Sequence, residues 1–188
     1  PVEFIPALTY DQGSSHSDGE MRSTGRNTDF SLTGKIGLNS NLTLDATYNP
    51  DFSQVETDAG QIDVNLRYSI YYSEKRPFFL EGMENFSFAT AMEANTVGAI
   101  AYTRTIVDPM LGVKLTGKIG GQNVLSGIFA LDEYPGDLAA EEGNADLAGR
   151  NASFTILRYK RQMSKDNYVG GFFTDRSFAG TGNSVGGF

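Results

Sequence analysis

Residues 62–72 read Ile-Asp-Val-Asn-Leu-Arg-Tyr-Ser-Ile-Tyr-Tyr, and every even-numbered position in this segment is apolar or aromatic. Successive side chains of an extended strand point to opposite faces, so the pattern predicts a strand with one apolar and one polar face. The same alternation recurs in segments of about ten residues, the length that a tilted strand needs to cross a bilayer. The pattern therefore predicts an all-β fold, an up-and-down antiparallel transmembrane β-barrel.

Other parts of the chain repeat this alternation, some of them less cleanly. The predicted strands are residues 2–11, 28–38, 41–49, 62–72, 96–104, 111–119, 124–132, 152–161 and 168–176, with another beginning near 184. Outer-membrane barrels pair short periplasmic turns with longer external loops, and the predicted links fit this rule apart from 73–95. The predicted external links are 12–27, 50–61, 105–110, 133–151 and 177–183. We therefore expect residues 1–188 to be part of one barrel domain, a fragment of about ten strands with a non-strand excursion at 73–95.

Composition narrows the classes of function. A net charge of −8 argues against a nucleic-acid partner, because phosphate binding needs clustered Lys and Arg. The absence of cysteine excludes a disulfide framework, a thiolate nucleophile and Cys-ligated zinc. Because the chain starts at Pro1 and stops within a strand-like segment, we interpret it as an internal piece of a longer secreted protein.

The excursion at 73–95 carries the most distinctive side chains. It combines charges of both signs with apolar residues, and its candidate lumen or plug residues are Glu74, Lys75, Arg76, Phe78, Phe79 and Glu81. One interpretation is a gate or plug inside the barrel, with its charges paired to lumen-facing residues. The other is a packed periplasmic corner stabilised by ion pairs and by Pro77, which fixes φ.

Two stretches resemble the DUF5916 family of Bacteroidetes and their relatives. One is the segment Glu-Lys-Arg-Pro-Phe-Phe-Leu-Glu-Gly at 74–82. The other is the turn-rich motif formed by Asn49, Pro50, Asp51, Phe52, Gln54, Glu56 and Asp58. The resemblance implies a barrel in the outer membrane of a Gram-negative bacterium, usually behind a carbohydrate-binding module of family 9 type. It implies no activity, and it transfers glycan binding to no residue of this chain.

Catalytic and metal sites find less support in the sequence. Carboxylates within 51–84 could form the acid pair of a glycoside hydrolase, but neighbouring Lys and Arg favour ion pairs instead. The single histidine, His16, makes a Ser-His-Asp triad improbable. The acidic loop at 132–146 offers oxygen ligands of the kind that calcium prefers, without the spacing of an EF-hand.

The sequence thus favours a non-enzymatic outer-membrane barrel that acts as a pore or a surface anchor. Its expected partners are membrane lipid, protein partners in the envelope, and glycan through a module outside this chain. Two alternatives remain open: a carbohydrate-active hydrolase that uses carboxylates in 51–84, and a soluble β-sandwich binding module.

Overall fold

The computed structural model describes residues 1–17, 20–50, 52, 74–86, 102–165 and 167–187, with backbone alone for 11, 14–17, 20–25 and 27. Its strands are β1 (Val2–Ser17), β2 (Glu20–Asn39), β3 (Leu42–Tyr48), β4 (Pro109–Ile119), β5 (Asn123–Asp132), β6 (Ala152–Gln162), β7 (Tyr168–Phe178) and β8 (Thr181–Gly187). They form one 8-stranded antiparallel sheet in which each strand pairs with its neighbours in sequence. Within the described residues the sheet is open, with β1 and β8 at its edges.

Short helical elements accompany the sheet. They are α1 (Pro77–Leu80), α2 (Tyr134–Glu141) and 3-10 turns at Met83–Phe86 and Thr103–Thr105. No helix in the described part of the chain is long and apolar enough to cross a membrane.

The all-β antiparallel class is confirmed, whereas several boundaries differ from the prediction. The strand predicted at 62–72 lies outside the described residues, as does most of the one at 96–104, whose end at 103–104 is a 3-10 turn rather than a strand. The external loop predicted at 12–27 is wrong, because β1 extends to Ser17 and β2 begins at Glu20, with Gln12 paired to Arg26 and Ser17 to Glu20. The loop predicted at 177–183 is a two-residue turn in which Ala179 has a φ of 52°. The link at 133–151 contains α2.

The order predicted for the middle strands is also wrong. Tyr48 of β3 pairs with Leu111 of β4, so no other strand lies between these two. The chain therefore leaves β3 after Tyr48 and enters β4 at Pro109 at the same end of the sheet. The prediction assumed that strands adjacent in sequence are adjacent in the sheet, a tendency that a long excursion can override.

The register gives the sheet two distinct faces. Ile36, Leu44, Leu115, Gly127, Leu157 and Phe173 form one continuous row across β2 to β7. We call their side the apolar face, and its large exposed side chains are Val2, Phe4, Leu8, Tyr10, Phe30, Leu32, Tyr48, Ile119, Phe129, Leu157, Tyr159, Val169 and Phe173. Asp175 and Ser184, which are hydrogen-bonded to each other, are polar exceptions on this face.

The opposite side, the covered face, is packed beneath residues 74–86 over strands β3 to β6. Its buried polar residues include Asp45, Thr47, Lys114, Thr116, Ser126 and Arg158. We call residues 74–86 the covering segment. Lys114 is 0 % exposed on this face, whereas Leu8 of the apolar face is 72 % exposed. Over β3 and β4 the packed side of the sheet is therefore polar and the unpacked side is apolar, which is the inverse of the usual arrangement in a water-soluble sheet.

One glycine allows the close approach of β3 and β4. Gly117 has a φ of +146°, and a Cβ added there would lie 2.0 Å from the carbonyl oxygen of Asn41. The position therefore tolerates no side chain, because both the backbone angle and the contact exclude one.

Candidate functional site

The covering segment consists of two tight turns that follow from its sequence. Pro77 occupies the first position of α1, where its missing N–H costs no hydrogen bond. The N–H of Glu81 donates to the Pro77 carbonyl oxygen at 3.1 Å and ends this single turn. Gly82 then takes a φ of +74°, which redirects the chain into the 3-10 turn at Met83–Phe86.

Glu74 and Arg76 form a paired unit at the start of the covering segment. The Arg76 Nε and Nη2 atoms each donate to a different oxygen of Glu74, both at 2.9 Å. The backbone N–H groups of Lys75 and Arg76 also donate to Glu74 Oε1. Thr103 adds its hydroxyl, which donates to Glu74 Oε2 at 2.6 Å. Such a bidentate Arg–carboxylate pair combines strength with a fixed geometry.

Arg76 extends this unit to the chain around the 3-10 turn at Thr103–Thr105. Its Nη1 donates to the Ile106 carbonyl oxygen at 2.5 Å, and its Nη2 to that of Thr103 at 2.9 Å. The guanidinium also lies 5.1 Å from the ring centre of Phe52 and 4.3 Å from that of Phe79. One buried cation therefore joins three parts of the chain that are far apart in sequence.

The pKa of Glu74 reflects this environment. Burial alone would raise its pKa, but the hydrogen bonds from Arg76 and Thr103 and the charge of Arg76 outweigh burial and lower it. The carboxylate is thus held ionised by donors on several sides. Because an ionised carboxylate has no proton to donate, Glu74 is poorly suited to act as a general acid.

A hydrophobic cluster fixes the covering segment to the sheet. Phe79 and Ile106 are 0 % exposed, and the rings of Phe78 and Phe79 meet edge to face with centres 5.0 Å apart. The cluster also includes Phe52, Phe86, Ile128, Ala130, Ala152, Phe154 and Ile156. The covered face therefore has an apolar patch on β5 and β6 beside its charged part on β2 to β4.

Polar side chains of the sheet bind the backbone of the covering segment. Lys114 Nζ donates to the carbonyl oxygens of Phe78 at 2.5 Å and Glu81 at 2.7 Å. The Asn85 carbonyl oxygen accepts from Arg158 Nη1 at 2.6 Å and from Ser126 Oγ at 3.2 Å. These donors satisfy carbonyl groups that a single helical turn leaves without partners.

Four charged residues form one row across the first four strands. Glu3 pairs in register with Lys35, Lys35 with Asp45, and Asp45 with Lys114, so the sign of the charge alternates along the row. Lys114 Nζ lies 3.4 Å from Asp45 Oδ2, and Lys35 forms an ion pair with Glu81 of the covering segment. We call these four residues the charge row.

The structure joins most of the predicted lumen or plug residues. Glu74, Arg76, Phe78 and Phe79 meet in the buried unit described above, while Glu81 contacts Lys35 at a more exposed position. Lys75 is exposed. Sequence reasoning missed two residues of the sheet that bind the covering segment: Lys114, which contacts Phe78 and Glu81, and Arg158, which contacts Asn85. In the sequence, each of these two residues is a basic side chain on the polar side of an alternating strand. The same pattern is expected for a side chain that is simply exposed to solvent.

The residues of the turn-rich motif are described only in part. Asn49 has a φ of 43°, its N–H donates to the Met110 carbonyl oxygen at 2.8 Å, and its side-chain amide donates to the Phe30 carbonyl oxygen at 3.1 Å. Pro50 follows it, and Phe52 packs in the hydrophobic cluster. Asp51, Gln54, Glu56 and Asp58 lie outside the described residues.

Among the acidic residues of 132–146, Asp132 has a clear structural role. Buried Asp132 accepts the N–H groups of Val107 at 3.1 Å and Asp108 at 2.7 Å. Burial and the charges of Asp132 and Asp137 raise the pKa of Asp108. Burial and the charges of Asp108, Asp137 and Asp132 raise the pKa of Glu133. Across the described ranges, no group of three or more His, Cys, Asp or Glu side chains is arranged to hold a metal ion.

A small cavity lies beside the contacts between the charge row and the covering segment. Its volume is about 230 Å³, and its charged lining consists of Glu3, Lys35, Asp45, Glu81 and Lys114. Ile5, Pro77 and Phe78 supply apolar parts of its wall. The cavity therefore lies between the sheet and the covering segment, on the covered face.

Comparison with known proteins yields a family but no activity. No curated protein and no solved structure matches the chain. The sequence profile described as "Domain of unknown function (DUF5916)" matches residues 3–106, which is more than half of the 188 residues. The match includes both stretches that carried the resemblance, the motif at 49–58 and the segment at 74–82. The chain therefore belongs to the DUF5916 family.

Proposed function

We propose that this chain forms part of an outer-membrane β-barrel that acts as a non-enzymatic pore or surface anchor in a Gram-negative bacterium. The apolar face meets lipid, and the covered face lines the interior. The observation that carries the proposal is the inverted pattern of the sheet, in which large apolar side chains are exposed while Lys114, Asp45 and Ser126 are buried. Alternation with apolar residues outward and polar residues inward is the pattern of membrane barrels.

A soluble sandwich would bury the opposite face. In a β-sandwich the apolar faces of two sheets pack against each other, and polar residues point to water. Here the packed face contains an ammonium, a guanidinium and a carboxylate, and the unpacked face contains Phe4, Leu8 and Phe129. An exposed apolar surface of this extent in water would be an unusual liability, whereas hydrocarbon chains would cover it favourably.

The covering segment then lies in the lumen as a fixed obstruction. Three features support this role: the hydrophobic cluster around Phe79, the Arg76 unit, and the hydrogen bonds from Lys114 and Arg158 to backbone carbonyl oxygens. Because these contacts involve both apolar packing and buried charge, the segment is held rather than loosely tethered. Lipid is the partner of the barrel wall, and glycan binding belongs to a module outside this chain.

Partition and gel mobility test the proposal. The complete protein that carries this chain should require detergent or lipid to stay dispersed, give a β-type circular dichroism spectrum there, and change its gel mobility on heating. A protein that is monodisperse in plain buffer, with the same spectrum, would overturn the membrane assignment. The result does not depend on conduction, so it separates the location of the protein from its transport properties.

A further inference from the structure

The cavity between the charge row and α1 is large enough for water and small ions. At about 30 Å³ of liquid volume per water molecule, a cavity of about 230 Å³ corresponds to roughly eight waters. Its wall is formed by β1 to β4 on one side and by Pro77, Phe78 and Glu81 on the other. It is thus a gap that the covering segment leaves beside the sheet.

The charges around this gap do not cancel. Its described lining contains three carboxylates (Glu3, Asp45 and Glu81) and two ammonium groups (Lys35 and Lys114). Lys114 and Asp45 are buried together, and Lys114 also binds two backbone carbonyl oxygens. The groups nearer to solvent are Glu3, Lys35 and Glu81. Lys35 and Glu81 form an ion pair between the sheet and the covering segment, so Glu3 supplies one excess negative charge in the accessible lining.

We propose that this gap is a passage for small cations past the covering segment and that Glu3, Glu81 and Lys35 set its preference for positive charge. This inference rests on the proposed barrel. Carboxylates in a narrow opening favour cations, and low-dielectric walls such as Ile5 and Phe78 strengthen their field. The adjacent ammonium of Lys35 limits the preference, which makes it adjustable in both directions.

Reversal potentials in planar bilayers test the passage. The complete protein is inserted, and the zero-current potential is measured across a KCl gradient. The K⁺/Cl⁻ permeability ratio should exceed one. It should fall towards one in Glu3→Gln, fall below one in Glu3→Lys, and rise in Lys35→Gln. The control Glu141→Gln removes a carboxylate from exposed α2, far in sequence from the gap, and should leave the ratio unchanged.

Each outcome separates this inference from the proposed barrel. Insertion without any conductance, or with anion preference in the unmodified protein, would overturn the cation passage and leave the barrel as an anchor or a different pore. Equal shifts in Glu3→Gln and Glu141→Gln would also overturn it, since they would indicate a general surface-charge effect. Failure to insert at all would instead count against the proposed function.

Discussion

Arg76 is the residue on which the covering segment most depends. Its guanidinium binds the Glu74 carboxylate and two backbone carbonyl oxygens while it lies against the rings of Phe52 and Phe79. The N–H groups of the guanidinium and its planar face are both used in these contacts, which explains why an Arg precedes Pro77 in the segment. A lysine carries the same charge but has neither the fork of donors nor the planar face.

We expect Arg76→Lys to be almost as damaging as Arg76→Ala. Either change leaves buried acceptors without a matching donor, and breaking a buried ion pair typically costs about 3–5 kcal/mol. The measurement is the free energy of unfolding in denaturant for protein folded in detergent. Lys118→Ala, at an exposed position near the end of β4, is the control and should stay within about 0.5 kcal/mol of the unmodified protein. Full rescue by Lys would show that charge alone matters.

Glu74 should make stability depend on pH in the acidic range. Because its folded-state pKa is lowered, the ionised carboxylate contributes stability that is fully present above its unfolded-state pKa and is lost as pH falls through the folded-state value. The difference in unfolding free energy between the unmodified protein and Glu74→Gln should therefore shrink on acidification. A difference that stays constant down to strongly acidic pH would contradict this assignment.

The alternation of side chains predicted the strands well because it is a local property. Residues 41–49 and 111–119 were expected with the faces that β3 and β4 have. Their direct pairing was not expected, because the sequence of neither strand specifies its pairing partner across the intervening residues 49–108. The roles of Lys114 and Arg158 were missed for a similar reason. A basic side chain on a polar face becomes a buried hydrogen-bond donor only when another part of the chain packs over it.

The apolar face offers a test that distinguishes lipid from water. Leu157 is 46 % exposed, so Leu157→Arg should be tolerated within about 0.5 kcal/mol if the face meets water. If the face meets the middle of a bilayer, the same change should cost about 2–4 kcal/mol. The measurement is unfolding free energy in lipid vesicles. Gln122→Arg in the exposed β4–β5 turn is the control and should be neutral in either case.

For the whole molecule, the sequence predicts the class of the sheet and the family but not closure into a barrel. The all-β antiparallel sheet and the DUF5916 family were both reached from sequence, since each depends on short patterns. Closure into a barrel depends on contacts between distant strands, which local patterns do not specify.

Removal of residues 78–86 should raise single-channel conductance. The deletion takes away the acceptors of Lys114, Ser126 and Arg158 and exposes these groups to water, where they can be solvated. The measurement is conductance in planar bilayers, with heat-modifiable gel mobility to verify that the barrel is intact. An intact, inserted barrel with unchanged conductance would exclude an obstructing role for the segment.

The charge row also has a consequence for how the strands find their alignment. A slip of one residue would turn apolar side chains inward, so hydrophobic alternation opposes it. A slip of two residues keeps every side chain on its proper face, and alternation cannot detect that error. It would, however, move Lys114 from Asp45 to Thr43 or Thr47 and leave a buried ammonium without its counter-ion. The charge row therefore favours the observed register over a slip of two residues during assembly, an error that hydrophobic alternation does not oppose.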